Sequence, residues 1–127
     1  MENLKKLIAK QSFENCDDIL LFLKDELKDK VQELKIFGKD TKVFLAGINT
    51  KLYDIEPIVL SGHIDTVSAN IELYNTNPYE LTEIDGKGYG LGSIDMKSFT
   101  AVVMDRLCEI KKVSCPHCAC TYNRWRN

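Results

Sequence analysis

Apolar positions in the first part of the chain recur at helical spacing. Leu4, Leu7 and Ile8 share one face and predict a short first helix that ends before Gln11-Ser12. Asn15 is placed to cap a second helix, with Asp17 and Asp18 in its first turn, where negative charge suits the helix dipole. Behind them Ile19, Leu20, Phe22, Leu23 and Leu27 form an apolar stripe, while Lys24, Asp25, Lys28 and Asp29 fall on the solvated side. Such a helix packs on something larger. From Val31 to Phe37 the spacing changes: Val31, Glu33 and Lys35 alternate with Gln32, Leu34 and Ile36. Gly38-Lys39-Asp40 reads as a turn and Thr41 to Ile48 is again β-rich, which predicts a hairpin.

A loop begins at Asn49-Thr50, and the aliphatic run Ile58-Val59-Leu60 then predicts a buried core strand. Ser68 to Leu81 is polar and turn-like. The last periodic stretch, from about Ser98 to Lys111, predicts a helix with Phe99, Val102, Val103, Leu107 and Ile110 as its core stripe. Helix, paired strands, core strand and helix in this order make an α/β arrangement, in which ligands gather at the carboxyl ends of strands.

Composition adds limits. The 127 residues allow one domain with a modest core, and 44% hydrophobic with 28% charged residues is ordinary for a globular chain. A net charge of -2 gives no reason to expect nucleic acid or an anionic membrane as partner. No apolar run is long enough to span a bilayer, and Met1-Glu2-Asn3-Leu4-Lys5-Lys6 is followed by no secretory core, so a cytoplasmic protein is expected.

Candidate chemistry lies between Pro57 and Lys97. The predicted core strand runs into a small-residue turn, Ser61-Gly62-His63-Ile64-Asp65-Thr66-Val67. His63 and Asp65 can converge on one metal ion, or the carboxylate can orient the imidazole from behind. Further on, glycines at 86, 88, 90 and 92 punctuate a turn, and Asp95 stands at the start of the last helix as another candidate ligand.

The segments His63-Ile64-Asp65-Thr66-Val67, Asn77-Pro78-Tyr79 and Tyr89-Gly90-Leu91-Gly92-Ser93-Ile94-Asp95-Met96-Lys97 resemble the signatures of the dinuclear zinc amidohydrolases. That family includes acetylornithine deacetylase, succinyl-diaminopimelate desuccinylase and aminoacylase. Leu81-Thr82-Glu83, leading through Asp85-Gly86-Lys87 to Tyr89, is most similar to the acetylornithine deacetylase branch. The resemblance implies the amino-terminal part of a zinc-exopeptidase-like catalytic domain, a mixed sheet flanked by helices. It further implies that His63 ligates a zinc ion, that Asp65 supports that imidazole as a catalytic residue, and that Asp95 bridges two zinc ions. It implies a cis peptide after Asp95, and a metal-activated water as nucleophile. The family acts on N-acyl amino acids and is often homodimeric.

The chain departs from the family after the last helix. Residues 1–112 follow the pattern, whereas 113–127 do not: Thr121-Tyr122-Asn123 stands where relatives continue to a Glu-Glu pair, but Arg124-Trp125-Arg126-Asn127 follows. If Arg124-Trp125-Arg126 is encoded AGR-TGG-AGR, a shift of one base after a G yields glutamates, so a frameshift is one reading of the tail. Another is a metal or redox site, since Cys115-Pro116-His117-Cys118 supplies soft ligands. Against that, Cys120 follows Cys118 by two residues, no second cluster exists, and part of the segment falls on an expected strand.

Without the general-base Glu and the later ligands, at most one weakly bound Zn2+ is expected, and no hydrolysis by this chain alone. The expected function is therefore part of a zinc-dependent N-deacylase that needs a separately supplied carboxyl-terminal half. The alternative is a non-catalytic remnant or a weak metal-binding partner module.

Overall fold

The computed structural model describes residues 1–48 and 58–110, and the backbone of 118–123. The loop from Asn49 and the tail positions Cys115, His117 and Arg124 to Asn127 lie outside the described residues. Helix α1 spans Glu2–Ile8 and α2 spans Asp17–Leu27. Cys16 is the cap position of α2, one residue later than expected, but the Asn15 side chain still accepts a hydrogen bond from the Asp17 amide at 2.8 Å. Leu7 and Ile8 of α1, and Ile19, Leu20, Leu23 and Leu27 of α2, are buried, each worth about 1.5–3 kcal/mol relative to exposure.

Strands β1 (Glu33–Phe37) and β2 (Val43–Ile48) form the expected antiparallel hairpin, turned at Gly38 with φ +98°. Strand β3 spans Ile58–His63. A second hairpin, β4 (Thr82–Ile84) with β5 (Lys87–Tyr89), is closed by Asp85 and Gly86, both at positive φ. Asp-Gly between short strands is the usual chemistry of such a turn. Helix α3 runs from Lys97 to Glu109, and β6 spans Cys118–Asn123.

Although last of the described strands, β6 lies inside the sheet. The order is β1-β2-β6-β3, with β6 antiparallel to β2 and parallel to β3. The sheet is therefore mixed, as expected, and β3-α3-β6 is a crossover unit whose two parallel strands end side by side, His63 opposite Asn123. Phe44, Ala46 and Ile48 of β2 join Leu7, Leu23, Leu27, Val103, Met104 and Leu107 in one core between sheet and helices.

Two expectations about burial are corrected. Ile58 and Val59 are a strand but are 51% and 54% exposed, because among the described residues β3 lies at the edge of the sheet, paired on one side by β6. Val102 is 59% exposed. The buried stripe of α3 instead runs through Lys97, Thr100, Ala101, Val103, Met104 and Leu107, which leaves Val102 on the far side of the helix.

Candidate metal and hydrolase site

His63 is the final residue of β3. The next side chain, Ile64, turns inward and is 2% exposed, which pins the strand end and leaves the polar residues on either side of it free to meet the opposite loop. That loop is built in steps. The Leu91 amide donates to the Pro78 carbonyl at 2.7 Å, with Pro78 itself buried, and the Ser93 amide donates to Gly90 at 3.0 Å. Gly92, at φ +81°, reverses the chain, and the Lys97 amide closes the loop by donating to the Gly92 carbonyl at 2.9 Å. The Asp95-Met96 peptide within it is cis.

This folding brings the imidazole of His63 to the carboxylate of Asp95, with Nε2 and Oδ1 2.9 Å apart. On its other side the ring faces Asp65: Nδ1 lies 3.1 Å from the Asp65 carbonyl oxygen and 3.6 Å from its Oδ1. The site is layered by exposure, with the His63 side chain 27% and the Asp95 side chain 78% exposed. Asp65 Oδ1 is buried without a hydrogen-bond partner among the described residues.

Both ring nitrogens of His63 thus face oxygen acceptors, whereas a neutral imidazole carries one N–H. If Nδ1 donates to Asp65, the Nε2 lone pair and the Asp95 oxygen converge on the same small space. Two acceptors at that separation need positive charge between them, either a second ring proton or a divalent cation. A nitrogen and a carboxylate oxygen are donors that suit zinc and similar ions. Among the described residues no group of three or more His, Cys, Asp or Glu side chains could hold a metal, so the donors fit part of a ligand set.

Lys97 lies under the loop. It is 1% exposed, its Nζ donates to the Lys10 carbonyl at 2.7 Å, and burial pushes its pKa down to about 8. On the His63 side, Thr66 is fastened to Ser12, amide to carbonyl at 3.3 Å and hydroxyl to hydroxyl at 3.3 Å. Neither Lys97 nor Ser12 was singled out by residue pattern: a lysine at a helix start reads as solvated, and a lone serine carries no spacing signal. Beside Asp95, Leu73, Tyr74, Ile84, Tyr89 and Ile94 line an open groove.

Comparison with known proteins gives this geometry a context. Residues 59–117 match the domain described as Peptidase family M20/M25/M40. The acetylornithine deacetylase of Buchnera aphidicola subsp. Acyrthosiphon pisum (strain Tuc7) is 33% identical over 108 residues, which is 84% of this chain and 28% of that protein. The structure of human carnosine dipeptidase 1 superposes with a TM-score of 0.79 at 19% identity, over 96% of this chain and 30% of the other. An M20 family metallo-carboxypeptidase from Sulfolobus solfataricus gives a TM-score of 0.74 at 16% identity, over 96% and 29%. The chain thus spans less than a third of each of these proteins, and the solved structures share its α/β fold. With signature segments at both His63 and Asp95 inside the matched stretch, the chain belongs to peptidase family M20/M25/M40.

Proposed function

We propose that this chain provides the His63 and Asp95 portion of a divalent-metal hydrolase centre of the acetylornithine deacetylase type, with N-acyl amino acids as substrate class. The observation that carries the reading is the convergence of His63 Nε2 and Asp95 Oδ1 at 2.9 Å while Nδ1 is engaged by Asp65. His63 and Asp95 would hold the ion, for which we propose zinc. Asp65 would fix the ring so that Nε2 presents its lone pair outward. A bound divalent ion supplies Lewis acidity and lowers the pKa of its water to near neutral. This chain's own part is to orient both donors and to leave Asp95 open to solvent, where a substrate can approach.

The two donors brought together among the described residues are fewer than the three protein ligands of an open zinc site. The chain by itself is therefore proposed to bind one divalent ion weakly and not to turn over substrate, acting in the cytoplasm with a partner that supplies further ligands and a general base. Zinc titration monitored by calorimetry, together with N-acetylornithine turnover, tests this. Weak zinc binding lost in His63→Ala, without turnover, is the expected result. Chelator-sensitive turnover by the chain alone would overturn the claim of inactivity, and zinc binding indifferent to His63 and Asp95 would overturn the site.

A further inference from the structure

The contact between His63 and Asp95 does not hold itself together. Asp95 is largely exposed, and exposed charged contacts contribute little on their own. Both loops that carry these residues are instead tied to the same short connection between α1 and α2. On one side the buried Lys97 ammonium donates to the Lys10 carbonyl at 2.7 Å, while the Lys97 amide closes the Asp95 loop onto Gly92. On the other side Ser12, 1% exposed, accepts the Thr66 amide and shares a hydroxyl contact with Thr66, next to Asp65.

The loops also press on each other at Gly92. A Cβ there would lie 3.0 Å from Lys97 Cγ and Cδ and 3.3 Å from Thr66 Cγ2, so the lysine stem and the threonine methyl flank the same backbone. Gly90, at the loop's entrance, packs against α1, since a Cβ there would press on the Ile8 side chain, with Cδ1 at 2.9 Å. Helix α1 and its exit therefore touch the Asp95 loop at its start, through Ile8, and at its close, through Lys10.

We infer that Lys10 to Ser12 form a positioning bracket, with Lys97 and Ser12 as positioning residues that fix the separation of His63 and Asp95. This deepens the reading of those side chains as one site and rests on it. The bracket would also transmit any displacement of α1 to that separation.

The test uses the full metal-free chain, so that it does not depend on zinc or turnover. In nitrogen-15 spectra at fixed pH, the ring N–H proton of His63 is followed for exchange with solvent, beside a thermal melt of each variant. Lys97→Met and Ser12→Ala are both expected to melt cooperatively and yet to exchange that proton about tenfold faster than the parent chain. Exchange unchanged in both variants would overturn the bracket, even if zinc binding behaved as proposed. Accelerated exchange seen only together with loss of cooperative melting would also overturn it, since the residues would then be members of the core. Accelerated exchange in a chain that binds no zinc would leave the bracket standing and remove the metal site.

Discussion

The ring of Phe99 occupies the space that a side chain on Gly62 would need, with Cδ1 and Cε1 each 2.8 Å from where a Cβ would stand. This approach lays the first turn of α3 against the tip of β3, and Asp95 precedes that turn as His63 ends that strand. The missing methyl at position 62 is thus one cause of the meeting between His63 and Asp95. Gly62→Ala is expected to cost about 1–3 kcal/mol through overpacking, read from denaturant unfolding. A variant as stable as the parent would show that α3 can shift freely on β3.

Asp65 offers a separate measurement. Its contacts with Nδ1 orient a ring whose other nitrogen faces Asp95. Asp65→Ala removes the carboxylate 3.6 Å from Nδ1 and keeps the backbone carbonyl at 3.1 Å, so it is expected to weaken zinc binding by no more than about 10-fold, the low end of what loss of such a partner costs. Calorimetric titration of the two chains side by side checks it. Equal affinities would show that the main-chain carbonyl alone orients the ring and that the Asp65 carboxylate plays no part.

Burial of the Lys97 ammonium has a pH signature. Its folded pKa of about 8 lies below the ordinary 10.5, so between those values the unfolded chain holds a proton that the folded chain has released. Stability contributed by this group therefore rises with pH across that window, and the penalty of the buried charge is fully present below it. Lys97→Met carries no such penalty. Its advantage over the parent is expected to be greatest below about pH 8 and to fade towards 10.5, by on the order of 3 kcal/mol in all. Chemical denaturation of both chains across this range measures the difference, in which the other titrating groups cancel.

The exposed side chains of β3 predict self-association. Ile58 and Val59 are more than half exposed on a strand that is paired on one side among the described residues, a combination that templates edge pairing. Ile58→Lys with Val59→Thr is expected to lower the associated fraction in sedimentation velocity while leaving helical content unchanged. Equal association in both chains would place the sticky surface elsewhere.

Much of this architecture is written locally. The apolar stripe of α2, the alternation through β1 and β2 and the glycine-marked turns depend on neighbours in sequence, and each appears where the pattern puts it. The same holds for the motif residues His63, Asp65 and Asp95, which the fold gathers into one place. Exposure is another matter. Ile58 and Val59 have the composition of a covered strand, but burial depends on what packs across the sheet, and composition does not carry that. Val102 misleads for a related reason: near-helical spacing admits more than one stripe, and the choice is made by the position of the sheet relative to α3. The fastening of Thr66 to Ser12 and of Lys97 to Lys10 joins residues far apart in the chain, for which no periodicity exists.

The placement of β6 has a consequence for synthesis. Residues 118–123 leave the ribosome after the other described strands of the sheet, yet they lie between β2 and β3. Until they emerge, the strand that ends in His63 has no ladder to join among the described residues, and the β1-β2 hairpin, the β4-β5 hairpin and the helices precede β6. The meeting of His63 with Asp95 is therefore a late event that waits on a long-range pairing, the slow kind. Chaperone capture of stalled chains ending before Cys118, and their release once Asn123 is added, would be the cellular trace of that delay.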